Sequence, residues 1–217
     1  VPSRSLRSIT VDAGKNNVAE KVVLTPTSEL MQIVVLSRSM DEIGERVAAM
    51  RQVWVGERVA DAVRPVGPAP VQPGGPELLV GTLGPRTIRA AAAWADGLAG
   101  MSLDVGLEEM ARVFALTRDA WREAGRPAPR VTTSFWFALD DGDGSAREQV
   151  HRHLRHYMNW IPADFVDALA ATAGFAGTPA QLREVLDQIA DLGADEVQLI
   201  PTGSDVEQVH RVADVLV

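Results

Sequence analysis

Apolar positions along this chain follow two periods, and the switch from one to the other marks its elements. From about residue 76 onward, short apolar runs alternate with segments whose apolar residues recur every three or four positions. Glu77-Leu78-Leu79-Val80 follows a proline- and glycine-rich segment and reads as a buried strand. It ends at Gly81-Thr82-Leu83-Gly84-Pro85, where Pro85 suits a first helical turn because its missing N–H would have had no partner there. An alanine-rich helix is expected from Arg86 to about Ala95, stopped by Asp96-Gly97, and Leu98–Leu103 is expected as the second strand. Leu107, Met110, Phe114, Trp121 and Ala124 then recur at helical spacing until Gly125 and Pro127.

Arg130–Leu139 is the third strand, with Val, Thr, Phe and Trp residues that favour a pleated surface. The turn Asp140-Asp141-Gly142-Asp143-Gly144 leads into a helix through His156, for which Ser145 and Glu148 have the spacing of a capping box. Thr178, Pro179 and Gln181 start a further helix with Leu182, Val185, Leu186 and Ile189 on one face. Gly193 closes it, and Glu196–Ile200 is a strand. Ser204 with Glu207 is expected to cap a last helix carrying Val209, Val212 and Leu216. Four strand–helix units in about 140 residues imply parallel strands joined by helical crossovers, hence an α/β fold.

The first 75 residues break this rhythm. Ser8–Val11, Lys21–Thr25 and Met31–Leu36 are strand candidates separated by turn residues, with no helix-length amphipathic segment between them. The first helix opens at Ser39 and Glu42 and runs through Ile43, Val47, Met50 and Val53-Trp54. Arg64 to Pro76 is rich in proline and glycine and reads as an extended loop within one domain spanning 1–217.

Composition narrows the function classes. The 217 residues carry 21 Lys and Arg against 29 Asp and Glu, a net charge of −8, which disfavours generic nucleic-acid binding. Apolar residues make up 46%, enough for a globular core. The absence of cysteine removes disulfides, thiolate metal ligands and thiol nucleophiles, and agrees with a reducing cytoplasm. The longest apolar stretch, Ala90 to Leu103, is interrupted by Asp96 and too short to cross a bilayer, so no membrane span is expected. The first residues contain no apolar signal core.

Several candidates carry chemistry. At Gly81-Thr82-Leu83-Gly84-Pro85-Arg86 a strand ends and a helix begins, so free backbone N–H groups and the positive end of the helix dipole converge. The glycines allow a phosphate to approach, Thr82 offers a hydroxyl and Arg86 a charge; an ordinary strand–helix turn is the plain alternative. Thr202-Gly203-Ser204 is a second anion candidate, although Ser204 as a simple helix cap explains it as well. His151, His153 and His156 share one helix, but no HExxH pattern or cysteine partner accompanies them, so a solvated face with Arg152 and Arg155 is expected, and no metal site. The acidic turn at 140–144 fails the EF-hand pattern and is expected to be a turn only. Trp94, Trp121, Trp136 and Trp160 sit at apolar-periodic positions and are expected in the core.

Taken in order, Arg46-Val47-Ala48-Ala49-Met50-Arg51-Gln52-Val53-Trp54, Pro76-Glu77-Leu78-Leu79-Val80-Gly81, Gly84-Pro85-Arg86, Trp94-Ala95-Asp96-Gly97-Leu98, Gly177-Thr178-Pro179 and Gly193-Ala194-Asp195-Glu196-Val197 resemble the second half of the bacterial luciferase-like flavin-dependent monooxygenases. The resemblance covers residues 39 to 217. It implies a (β/α)₈ TIM-barrel-like fold with FMN, or an 8-hydroxy-5-deazaflavin coenzyme, at the C-terminal strand ends. It also implies an oxidoreductase acting on a small organic substrate, a flavin reductase as partner, and a homodimer. Gly81, Thr82, Leu83, Gly84 and Arg86 are the positions it assigns to the cofactor phosphate. No catalytic residue carries over, because the first half of the chain departs from the family pattern. A barrel of this type typically needs about 250 residues, so the chain is expected to be either a reduced barrel or part of a longer one. A non-catalytic flavin-binding or scaffold relative is the alternative reading.

Overall fold

The computed structural model describes Ser8–Ile9, Val22–Val23 and residues 37–216. The chain divides into two compact units, 1–75 and 76–217. In the first, β1 (Ser8–Ile9) pairs antiparallel with β2 (Val22–Val23), inside two of the expected strands. The expected strand Met31–Leu36 lies outside the described residues. Helix α1 (Met40–Trp54) starts as expected at Ser39, whose hydroxyl accepts from the Glu42 N–H. The Glu42 carboxylate reaches one residue further back than a capping box requires, to the Arg38 N–H at 2.8 Å.

The second unit is the regular one. Its elements are β3 (Leu79–Val80), α2 (Pro85–Ala91), β4 (Gly97–Ala99), α3 (Leu107–Glu123), β5 (Arg130–Leu139), α4 (Ser145–Tyr157), α5 (Ala163–Ala170), β6 (Phe175–Gly177), α6 (Pro179–Asp191), β7 (Glu196–Pro201) and α7 (Glu207–Leu216). The strands form one parallel sheet in which β3 pairs with β4, β4 with β5, and β5 with both β6 and β7. Backbone parity shows how β5 serves three partners. Its even-numbered groups face β4 first, where the Thr132 and Ser134 carbonyls accept from Gly100 and Ser102, and then β6, where the Asp140 N–H donates to Gly177. Its odd-numbered groups face β7, with the Val131 and Phe137 carbonyls accepting from Asp195 and Thr202. So β3, β4, β5 and β7 follow one another across the sheet, and β6 is an added rung on the upper half of the β4 edge. Four parallel strands in chain order with intervening helices reproduce half the repeat of an eight-stranded barrel.

Side-chain alternation sends β5 into two cores. Val131, Phe135, Phe137 and Leu139 pack with Ile88 of α2, Met110, Phe114 and Trp121 of α3, and Leu182 and Ile189 of α6. Trp136 and Ala138 point the other way, against Val150 and Leu154 of α4 and Val166 and Ala170 of α5. The α4–α5 pair therefore covers the sheet face opposite to the α2, α3 and α6 layer.

Several local expectations are corrected. Helix α2 ends at Ala91 rather than near Ala95, with turns carrying the chain to Asp96. Ser145 and Glu148 form no capping box: Gly144, at φ +84°, is the N-cap, and the first N–H groups of α4 are taken by acids of the preceding turn. Asp143 accepts from Ser145 and Asp140 from Ala146, each at 3.0 Å. The acidic turn is thus a helix cap, which the aspartate side chains reach more easily than a serine already inside the helix. Likewise Asp205, not Ser204, accepts from the Glu207 N–H at the start of α7. Thr178 and Gln181 do make the expected reciprocal box at α6. Helix α5 and strand β6 were not anticipated.

Candidate functional site

The loops after β3, β4, β5 and β7 all emerge at the C-terminal edge of one parallel sheet, where ligand sites of α/β folds gather. The loop after β3 carries the five predicted residues together. Gly84 is the N-cap of α2 and Pro85 its first residue, as the sequence requires. The Thr82 hydroxyl accepts from the Gly84 N–H at 3.1 Å, folding the loop back on itself. A Cβ on Gly81 would meet nothing within 4 Å, and its φ is not in the left-handed region, so neither packing nor backbone conformation demands glycine there. Arg86 is exposed and has no ion-pair partner among the described residues. Leu83 is 53% exposed and turns away to line a separate cavity beside β4.

The start of α2 differs from the other described helices. Helices α1, α3, α4, α5 and α7 carry an acid in the first turn, and α6 has its complete capping box. Helix α2 has neither an acidic first turn nor a side-chain cap. Its positive end is left uncompensated, with the free Arg86 adding to it. The residues present fit a phosphate.

The second anion candidate is otherwise engaged. Thr202 is 6% exposed, and its hydroxyl donates to the Phe137 carbonyl at 2.9 Å while accepting from the Gln149 amide at 3.2 Å. It locks β7 to β5 and α4. The three histidines diverge. His151 reaches Asp167 of α5 at 2.8 Å, His153 stacks on Tyr157 with ring centroids 5.8 Å apart, and His156 is exposed. Burial, and secondarily the neighbouring His156, hold the His153 imidazole below its ordinary value. Asp167 also takes the Arg155 guanidinium through both its oxygens, and the bonds from Arg155 and then His151 pull its carboxyl down to about 2.

Among the tryptophans, Trp121 and Trp136 are buried and Trp94 is half-buried. Trp160 is 70% exposed, which overturns its assignment to the core. It lies just beyond the end of α4, edge-on to the exposed Tyr157 at 6.0 Å. Tyr157 in turn meets His153 and Trp136. This aromatic run is not legible in the sequence because its members straddle a strand, a helix and a loop, and only His153 and Tyr157 share a helical spacing.

A parallel sheet with strand-end loops and an uncapped helix start belongs to an α/β protein of the barrel type. The model of the luciferase-like monooxygenase family matches residues 34–196, and the chain belongs to that family. The chain is similar in fold to the coenzyme F420-dependent tetrahydromethanopterin reductase from Methanopyrus kandleri, with a TM-score of 0.60 and 16% identity over 80% of this chain and 61% of that one. It is also similar to EDTA monooxygenase from Chelativorans sp. BNC1, with a TM-score of 0.58 and 16% identity over 82% and 59%. A third likeness is to the oxygenating constituent of 3,6-diketocamphane monooxygenase from Pseudomonas putida, solved in complex with FMN. There the TM-score is 0.53 and the identity 15% over 81% and 61%. The chain thus spans about three fifths of the length of these structural relatives. A stretch covering 30% of the chain is 62% identical, over 81 residues, to the formate–tetrahydrofolate ligase of Bifidobacterium longum (strain NCC 2705), of which it represents 16%.

Proposed function

We propose that the chain is a flavin- or deazaflavin-dependent oxidoreductase acting on a small organic molecule, with the cofactor phosphate held by Gly81, Thr82, Leu83, Gly84 and Arg86. The carrying observation is the start of α2, with no side-chain cap, no acid in its first turn and an unpaired Arg86 beside it. The backbone N–H groups of the turn and the Arg86 guanidinium grip the phosphate. The open space above Gly81 admits it. FMN and the deazaflavin coenzyme both carry a phosphate on the ribityl chain, and relatives of both kinds share the fold. When bound, the cofactor supplies the redox chemistry, and the chain supplies binding, orientation and exclusion of water. The family match crosses from the first compact unit into the second, which supports reading 1–217 as a single luciferase-like domain. A homodimer, a flavin reductase as partner and a cytoplasmic location belong to the same proposal; no described helix is long and apolar enough to cross a membrane. The 16% share of the ligase is too small a part of that enzyme to lend its activity to this chain.

Titrating the full chain with FMN, the deazaflavin coenzyme and riboflavin tests the assignment. FMN or the deazaflavin is expected to bind at least about tenfold more tightly than phosphate-free riboflavin, a gap of about 1.4 kcal/mol. Arg86→Ala is expected to close most of that gap. Equal affinity for FMN and riboflavin, unaltered by Arg86→Ala, overturns the phosphate site. Tight cofactor binding with no consumption of any organic substrate, even when the reduced cofactor is supplied, favours the non-catalytic relative.

A further inference from the structure

A cavity of about 300 Å³ lies between the end of β4, β5, α3 and the end of α5. Met110, Val113 and Phe114 of α3 form its apolar wall, and Leu103 and Leu169 lie at its end. Three hydroxyl residues also line it: Thr172 is exposed, whereas Thr133 is 2% exposed and Ser102 9% exposed. The two buried residues matter here. Strand parity puts Thr133 on the same side as Val131 and Phe135, and Ser102 on the same side as Leu98, all of which face α3. Neither hydroxyl has a hydrogen-bond partner among the described residues. Their neighbours do: Thr132 donates to the Leu98 carbonyl, Ser134 to Gly100, and Thr117 to Val113. Neither the Thr133 nor the Ser102 oxygen is sealed inside the protein, so both open onto the hollow and are available to a polar group that enters it.

We propose that this cavity binds a compact, uncharged, largely apolar molecule whose single carbonyl or hydroxyl oxygen is held by Thr133 and Ser102. Size follows from volume. A cavity of about 150 Å³ takes one benzene ring, so this one suits a two-ring or roughly ten-carbon body. Charge follows from the mouth, where Asp104 and Glu109 are exposed carboxylates. Glu109 is neutralised by Arg112, but Asp104 has only the Gly106 N–H on one oxygen, so an anionic ligand would meet an uncompensated like charge. The site is independent of the phosphate reading. It touches that loop through Leu83 alone and stands whether or not a flavin binds there.

The probe is 2-naphthol, a two-ring body with one hydroxyl, titrated into the full chain by ligand-observed NMR and by thermal shift. Saturable binding below about 1 mM is expected, with naphthalene-2-carboxylate at least about tenfold weaker. Thr133→Val, which keeps the shape and removes the hydroxyl, is expected to weaken 2-naphthol about tenfold, and Val113→Phe, which fills the hollow, to abolish it. Should Thr133→Val fail to fold, Ser102→Ala provides the same reading. No saturable binding, or binding unchanged in both the hydroxyl and the filling variants, overturns the proposal and leaves the hydroxyls to water.

Discussion

Glycine does two different jobs in this chain, and the difference separates architecture from function. At Gly97 a Cβ would lie 1.9 Å from the Arg130 carbonyl oxygen, so the residue is glycine because β4 and β5 touch there backbone to backbone. Neither strand can yield without losing the register Gly97–Arg130 that starts their pairing. Gly97→Ala is expected to cost at least about 3 kcal/mol in a urea melt, the upper range for overpacking a rigid site. Gly81 has no such neighbour. Gly81→Ala is expected to leave stability within about 0.5 kcal/mol while weakening FMN binding, because its methyl would occupy the space the phosphate needs. A Gly81→Ala protein that binds FMN as well as the parent would remove Gly81 from the proposed site. The glycine pattern of the β3 loop was legible in the sequence as a close-approach signal. That Gly97 is the structural one was not, since the contact joins residues from different strands.

Helix ends show which local rules survive tertiary context. The Thr178–Gln181 box forms because both partners lie within one turn and nothing else competes for them. Thr178→Ala is expected to cost about 1 kcal/mol, read as a lower urea midpoint. The box expected at Ser145 loses to Asp140 and Asp143, whose carboxylates accept more strongly than a hydroxyl and already sit ahead of the helix. Between α4 and α5, Asp167 joins His151 and Arg155. Its carboxyl lies near 2, below the ordinary 3.8, so the folded chain favours the ionised form. The stability this adds is fully present above about pH 4 and disappears as the pH falls through about 2. Thermal melts should therefore separate the parent from Asp167→Asn at pH 6 and bring the two together near pH 2. A constant separation across that range would show that the tie does not act through the charge of Asp167.

The whole second unit is organised around β5, which carries β4 and β6 on one edge and β7 on the other. Between Thr132 and Phe137 this strand is laddered to β7 and buried beneath helices on both faces, so its backbone N–H groups facing β7 are expected to exchange slowest with deuterium. The two-residue β3 at the other end of the sheet is expected to exchange far sooner. Mass-resolved hydrogen exchange checks the order; faster exchange in β5 than in β3 would contradict the sheet assignment. Arg130 stands at the foot of this sheet and bridges Glu77, just before β3, to Glu196 of β7. The three side chains are about 40% exposed, so Arg130→Ala is expected to leave the melting temperature almost unchanged. The burial of the strands, rather than this ion network, holds the sheet.

Short apolar runs bounded by turn residues placed β3 and β4, and apolar patterning placed β5, β7 and the helices between the strands, because both signals are local. The glycine–proline turn after β3 was legible for the same reason: a strand that ends in glycine and restarts as a proline-led helix is a local event. Strand β6 and helix α5 escaped although they are no shorter than β4 and α2: α5 has no side-chain cap to mark its start, and the stability of both comes from β5 and α4. The paired hydroxyls of Ser102 and Thr133 could not be read at all. A serine or threonine in a strand is ordinary, and only the packing of β4, β5 and α3 decides that these two open onto one hollow with no partner among the described residues. Sequence determined the order of strands and helices, since local chemistry dictates period and caps. Tertiary structure decided which polar groups were left over, since satisfaction of a buried group depends on neighbours far along the chain.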